Sequence, residues 1–427
     1  MKIVIASDIY YPMTNGVAVF AHNLANGLAK RGHKVLVICP SFTGRHHRVK
    51  DKETGVSTLY LKSVRFPFYP DQINTVPDKR EVLGMQLPRL IYKKGIWTPI
   101  YPYPEIKRAL MWFRPDVIHN QTAESIAIAV SWYARRYKVP LVSTGHAYPD
   151  NVTGQFKILK PIKRPVDAVL RAYMASFLKH SEYATMPTEM AIGDLIPKNR
   201  RRFRVPVEAL SNGVDLSRFH PGKAKQKTYE KYGIDAQRPV VLYVGRVDPE
   251  KSIDHVVRAF KLVLEKIPEA QLIVVGDGTA RAGLEELARD LEIDENVKFL
   301  GKIMPPELMD VYRTGDLFVT ASETETQGIV LIEAAATGLP LVAVDAGAVK
   351  ELCQNRRNGV LCQPGNEKGL ARGMIKILSN EDLREKYGSA SLEISKLHDL
   401  NRTLERFEEI YQLAIDAKRQ KLDEAEY

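Results

Sequence analysis

The stretch VVLYVGRVDPEKSIDHVVRAFKLVLEKIPEAQLIVVG, residues 240–276, decides the fold. Five apolar residues, 240–244, end at Gly245, and a loop carrying Arg246 and Lys251 follows. Apolar residues then recur at helical spacing over 253–267, and 271–275 is a second apolar run that ends at Gly276. Short continuous apolar strands alternating with amphipathic helices belong to parallel sheets, whose crossover helices cover both faces.

The same alternation runs outward in both directions. Downstream, a helix over 280–291, strands over 297–300, 317–321 and 341–344, and a helical pattern over 328–337 continue it. The first half opens with a strand over 2–7, a turn-rich loop over 11–16 and a helix over 17–31 with Val17, Phe20, Leu24 and Leu28 on one face. Gly32 closes that helix, a strand follows over 34–39, and strands over 116–119 and 141–144 flank a helix over 123–137. The expectation is an α/β protein of two Rossmann-like, doubly wound domains, 1–212 and 213–395, facing a central ligand cleft. A charged helix over 396–427 is expected to cross back onto the first domain.

With 427 residues, 44% hydrophobic and 26% charged, a disordered or fibrous chain is excluded. Cys39, Cys353 and Cys362 show no paired spacing, which argues against a disulfide scaffold or structural zinc and for a reducing compartment. The longest apolar run, about ten residues over 125–134, falls short of the roughly 18 that span a bilayer. A cytoplasmic protein without a membrane span is expected. Charge divides unevenly: residues 1–212 hold 32 Lys and Arg against 15 Asp and Glu, a net +17, and residues 213–427 carry a net −6. A basic half suits an anionic surface, whether nucleic acid, acidic lipid or phosphorylated ligand.

Two segments break the pattern. Residues 62–104 hold Phe66, Phe68, Tyr69, Trp97, Tyr101 and Tyr103 among prolines, with Arg80, Arg89, Lys93 and Lys94 nearby. They read either as an insertion packed on its own domain or as an acceptor-side loop touching a membrane. Residues 156–180, FKILKPIKRPVDAVLRAYMASFLKH, set Lys and Arg on one side and apolar residues on the other, as a core helix or a membrane-surface helix would.

The sharpest chemistry follows the strand 240–244. Arg246 and Lys251 just beyond a strand end suit a diphosphate: a guanidinium forks onto oxygens, and an ammonium adds a point charge. In the stretch 322–333, SETETQGIVLIE, residues Thr326, Gln327, Gly328 and Ile329 are expected to open a helix whose free N–H groups face an anion. Glu325 precedes that helix and Glu333 lies within it, about 12 Å apart at helical rise, too far for a glycosidase pair. They fit two parts of one elongated ligand: a sugar at Glu325, phosphates at the helix start, a ribose at Glu333.

Together the loop 12–17, Asn212-Gly-Val-Asp-Leu-Ser-Arg-Phe219, Gly245-Arg with Lys251, Val275-Gly-Asp-Gly278 and the Glu-x7-Glu pair resemble the retaining family 4 glycosyltransferases of GT-B fold, over nearly the whole chain. The resemblance implies that Arg246 and Lys251 bind the donor diphosphate, Glu325 sits beside the transferring sugar and Glu333 holds the ribose. It implies that Gly276 lies at the donor, that Gly301, Lys302 and Ile303 meet the base, that Gly16 lets the first domain approach the diphosphate, and that His119 contacts the donor sugar. Thr324-Glu-Thr-Gln-Gly328 resembles the bacterial diacylglycerol glucosyltransferases, which implies UDP-glucose as donor and a lipid acceptor at an anionic membrane. Asn15 and His146 are the expected acceptor contacts. Thr144-Gly-His-Ala-Tyr148 departs from the His-Thr-x-Tyr-Glu-Asp-like stretch usual in those lipid enzymes.

No Asp-x-Asp occurs, so a metal-bridged diphosphate is not expected, and no cofactor is implied beyond the nucleotide sugar itself. Without GxGxxG after the first strand or GxxxxGK[ST], dinucleotide redox and P-loop hydrolysis lose their support. His46 and His47 read as surface. Rival readings are the same transfer to a phosphoinositide or soluble sugar, a nucleotide-sugar epimerase, and a non-catalytic nucleic-acid binder using the basic half.

Overall fold

Continuous apolar strands account for both sheets. In a computed structural model that describes residues 1–11, 15–65, 97–146, 162–196 and 203–426, the chain divides into two units. The first is Met1–Ser211 with Thr403–Tyr427, and the second is Asn212–Arg402.

The first unit holds strands β1 (Lys2–Ala6), β2 (Lys34–Ser41), β3 (His47–Lys50), β4 (Ser57–Arg65), β5 (Trp97–Pro99), β6 (Val117–Asn120), β7 (Leu141–Thr144), β8 (Tyr183–Met186) and β9 (Val207–Ala209). They form one sheet in the order β3-β4-β2-β1-β6-β7-β8-β9, with β5 on β4. All neighbours are parallel except β3 and β5 against β4. Ile3 to Ala6 are fully buried on both faces of β1, as covering helices on both sides require. Those helices include α1 (Gly16–Lys30), α2 (Tyr103–Phe113) and α3 (Ser125–Arg136). Strand order reverses at β1, between β2 and β6, and the ends of strands at such a reversal are where doubly wound sheets take their ligands.

The second unit holds β10 (Val240–Val244), β11 (Gln271–Val275), β12 (Val297–Gly301), β13 (Leu317–Thr320), β14 (Leu341–Val344) and β15 (Gly359–Cys362), all parallel, in the order β12-β11-β10-β13-β14-β15. The reversal falls at β10. Alternate residues of that strand feed two apolar layers, Val241 and Tyr243 with Phe260 on one side, Leu242 and Val244 with Phe318 on the other.

The last helix, Leu400–Glu426, returns to the first unit at Thr403 rather than at 396. Residues before it stay with the second unit, because Val214 donates its N–H to the His398 carbonyl (2.8 Å) and Leu400 donates to Val214 (3.0 Å). Beyond Thr403, the Phe407 ring lies tilted 5.9 Å from that of Phe20, and ion pairs join Arg406 to Glu208 and Arg31 to Glu408. Residues 12–14, 66–96 and 147–161, which include Lys160, Tyr148 and most of the aromatic-basic segment, lie outside the described residues. Of the basic stretch 156–180, Lys163–Leu178 is a helix that buries Ala175 and Leu178. No described helix is long and apolar enough to cross a membrane.

Candidate active site

At the end of β10 the chain turns sharply into a loop held by its own carboxylates. Asp248, fully buried, accepts from Arg246 through one oxygen (2.5 Å) and from the Thr279 N–H (2.9 Å) and hydroxyl (3.1 Å) through the other. Glu250 takes the second arm of the Arg246 guanidinium at 2.5 Å. Gly276 faces this loop so closely that a Cβ there would stand 1.8 Å from the Gly245 carbonyl, and its φ of +136° is open to glycine alone. Burial opposes the Arg246 charge, but Glu250 and Asp248 outweigh it and hold the guanidinium more firmly protonated than usual.

Lys251 ends the short turn Pro249–Lys251 and meets Glu325 at 2.6 Å, with the Ser322 hydroxyl 3.4 Å from the same ammonium. Burial pushes the Glu325 carboxyl up, yet Lys251, Ser322 and Arg246 together hold it below the usual carboxylate range. The structure thus brings Arg246, Lys251 and Glu325 to one edge of the sheet. A diphosphate bound here would compete with Asp248 and Glu250 for the guanidinium and with Glu325 for the ammonium. The Glu325 carboxylate stays ionised beside it.

The expected helix at Thr326 opens three residues later. Gly328 adopts a left-handed conformation (φ +79°) as the N-cap, and Ile329–Ala336 is helical. Thr326 and Gln327 belong to the preceding loop, where the buried Gln327 accepts from the Asn212 N–H (3.2 Å). A positive φ at Gly328 stops the helix from extending backward. Glu333 lies within the helix and accepts the Tyr312 hydroxyl at 2.7 Å; burial raises its carboxyl to about 7 against that bond's opposing pull. The Gly301 carbonyl, at the end of β12, accepts from the Gly276 N–H (2.8 Å). Burial lowers the Lys302 ammonium, partly offset by Asp277, and Ile303 is buried.

In the first unit, Asn15 caps α1, its side chain accepting from the Ala18 N–H (2.9 Å), and Gly16 is the exposed first residue of that helix. His119 requires a correction. It is fully buried in β6, with Nδ1 2.8 Å from the Tyr411 hydroxyl and Nε2 2.7 Å from the Thr144 hydroxyl. Both ring nitrogens are spent inside the unit, so the ring packs the last helix instead of meeting a sugar. His146, half-buried after β7, donates from Nε2 to the Gln121 side-chain oxygen (2.8 Å) and rests against Phe20 at 5.2 Å. Burial pushes both imidazoles down to about 3, and His146 adds to the effect on His119.

Sequence reasoning missed Asp248, Glu250 and Tyr312. The two acids stood inside the stretch read for its cations, so their alternation with Arg246 and Lys251 was the available signal. Tyr312 carried none, being 21 residues from Glu333. Among the described residues no three His, Cys, Asp or Glu side chains group as metal ligands would.

Two family models divide the chain. One described as Glycosyltransferase Family 4 matches residues 14–218, and one described as Glycosyl transferases group 1 matches residues 224–393. The alpha-monoglucosyldiacylglycerol synthase of Streptococcus pneumoniae is 28% identical over 393 residues, 90% of this chain and 80% of that protein. A GDP-mannose-dependent alpha-mannosyltransferase of Mycobacterium tuberculosis is 27% identical over 391 residues, 92% and 91% of the two chains. Among solved structures, the sucrose-phosphate synthase of Thermosynechococcus elongatus superposes with a TM-score of 0.75 at 18% identity, covering 97% of this chain and 99% of that one. Anabaena HepE, solved in complex with UDP-glucose, gives 0.70 at 17% identity, covering 96% and 99%. At these identities the superpositions speak to fold.

Proposed function

Because the chain belongs to the family 4 glycosyltransferases of GT-B fold, we propose that it transfers glucose from UDP-glucose to a lipid hydroxyl, such as that of diacylglycerol, with retention at the anomeric carbon and no metal requirement. The observation that carries this reading is the Lys251–Glu325 pair at 2.6 Å, electrostatically coupled to Arg246 at the end of β10. Two fixed cations meet the charge that grows on the departing diphosphate. The carboxylate beside them meets the positive charge that grows on the sugar. Groups that oppose charge developing in the transition state lower the barrier more than they tighten ground-state binding.

In this reading Glu333 takes the ribose, the Gly301–Ile303 backbone the base, and His146 the acceptor. The lipid acceptor is supported by the similarity to the alpha-monoglucosyldiacylglycerol synthase of Streptococcus pneumoniae and by the +17 of residues 1–212. It places the enzyme on the cytoplasmic face of a membrane, where each basic residue near an anionic surface contributes about 1 kcal/mol.

The test is a matrix of nucleotide sugars and acceptors (diacylglycerol, a phosphoinositide, soluble sugars), with product mass and the anomeric configuration read by NMR. Transfer from UDP-glucose to diacylglycerol with an α-linked product, undiminished by a chelator, is expected. A β-linked product, turnover only with added metal, or donor conversion without acceptor would overturn it.

A further inference from the structure

Helices α2 and α3 pack side by side over β1, β2 and β6, burying Ile106, Leu110 and Phe113 from one and Ile126, Val130 and Tyr133 from the other. Their outward faces are not what a water-facing surface needs. Met111 is 53% exposed, Trp112 64% and Trp132 62%, so two of the chain's three tryptophans stand in solvent on adjacent helices. Tyr103 of α2 meets Trp132 of α3 edge-on at 6.2 Å. Large apolar side chains exposed together on two neighbouring helices mark a contact site, not a solvated face.

Cations are interleaved with these rings. The Arg48 guanidinium lies 3.7 Å over the Trp112 ring, and Lys107 and Arg136 lie 6.0 and 5.7 Å from the Tyr137 ring. Within α2 and α3 the only acid is Glu105, already paired with Arg108 at 2.9 Å. Half-exposed indoles bordered by positive charge match the boundary of an anionic bilayer, where the ring enters the headgroup zone and the cation meets lipid phosphate. We propose that the outer face of α2 and α3, centred on Trp112 and Trp132, docks this protein on an anionic bilayer. The docking face is separate from the groups assigned to donor and acceptor. It deepens the lipid-acceptor reading and rests on it only for its purpose.

Tryptophan fluorescence tests this directly, since Trp97, half-buried beside Phe42 at 5.9 Å, serves as internal reference. Full-length protein is mixed with phosphatidylcholine–phosphatidylglycerol vesicles carrying brominated chains. Variants keeping only Trp112 or only Trp132, with Phe elsewhere, are expected to be quenched, and the variant keeping only Trp97 is not. Trp112→Ser with Trp132→Ser should weaken sedimentation with these vesicles about tenfold or more, and wild type should bind pure phosphatidylcholine poorly. Unquenched indoles, or a double variant that sediments like wild type, overturn the docking face. So does a dimer, seen by analytical ultracentrifugation, that the double variant loses while vesicle binding stays unchanged. Transfer to diacylglycerol in detergent micelles separates the two readings. The double variant should match wild type there; wild type inactive in micelles but quenched on vesicles would sink the acceptor and leave the docking face standing.

Discussion

The two units share the order of six parallel core strands, β4-β2-β1-β6-β7-β8 and β12-β11-β10-β13-β14-β15, and set different chemistry at their ends. Each has its strand order reversed at a central strand, β1 or β10, and each gathers polar groups at the ends of the strands beside it. At β10 those groups are charged and paired: Arg246 with Asp248 and Glu250, Lys251 with Glu325. At β6 and β7 they are neutral: His119, Asn120, Gln121, Thr144 and His146, with both imidazoles held uncharged by burial. Just past β1 the buried Asp8 carboxyl, pushed up by burial, accepts from Thr122, Ser125 and the Ile126 N–H. Asn120 Oδ1 and Gln121 Nε2 are buried there with no hydrogen-bond partner among the described residues. A doubly wound sheet fixes where a ligand can bind, and the side chains decide what binds. Preset charge suits a diphosphate. Uncharged donors and acceptors suit hydroxyls.

The largest effect should come from the charged side. Lys251→Ala removes one preorganised cation and leaves Glu325 without its partner, so kcat should fall by about 10²–10³. Steady-state kinetics on Lys251→Ala, Glu325→Gln and the double variant form a cycle. If the pair acts as one unit, the double variant loses little more than either single one. Strict additivity would break the idea that unit two works through paired charge.

Next comes the support of that charge. Asp248→Asn leaves the cations in place but loosens Arg246 and the Thr279 loop. A lost charge-assisted bond of about 1.5–3 kcal/mol corresponds to roughly 10–150-fold in kcat/KM. An activity unchanged within a factor of two would show that Arg246 positions itself.

How much of this was legible depended on range. The runs at 240–244 and 271–275 announced their strands because residues buried on both faces need no partner identified to be read as apolar. Strands β3 and β4 were not visible: β3 alternates half-buried and exposed residues at a sheet margin, so its stability lies in antiparallel pairing that no local pattern displays. The helix expected at Thr326 begins at Ile329 because Gly328 takes a left-handed backbone, which the apolar spacing does not display. His119 was placed at a strand end, which is right, but a strand end has two faces. The face it occupies is covered by Tyr411, 292 residues later, and nothing near His119 foretells that.

A smaller effect separates Glu333 from the permanently charged groups. Its carboxyl, raised to about 7 in the fold from 4.5, keeps a proton that the unfolded chain sheds between those values. The stability this gives is full below pH 4.5 and fades as pH rises through 7. If the ribose needs the carboxylate, its ionised fraction climbs from about a tenth at pH 6 to about nine tenths at pH 8, and donor kcat/KM should rise about tenfold. Glu333→Gln should flatten both profiles. A wild-type donor profile already flat over that range would remove Glu333 from the ribose.

The smallest expected effect on turnover is the sharpest test of the neutral side. His119→Phe keeps a ring of similar size against Phe407, which lies 4.9 Å from the imidazole. It removes the bonds to Tyr411 and Thr144. Thr144 retains the Thr185 hydroxyl at 2.6 Å, so the group left unsatisfied is the buried Tyr411 hydroxyl, at a cost of about 1–3 kcal/mol. That loss falls on the docking of the last helix, and a lowered Tm with kcat within a factor of a few is the expected pair of results. Adding Tyr411→Phe to His119→Phe removes the orphaned hydroxyl and should recover part of the Tm. A fall in kcat of a hundredfold at unchanged Tm would return His119 to the donor sugar, and the contrast between a charged edge at β10 and a structural, neutral interior at β6 would not survive it.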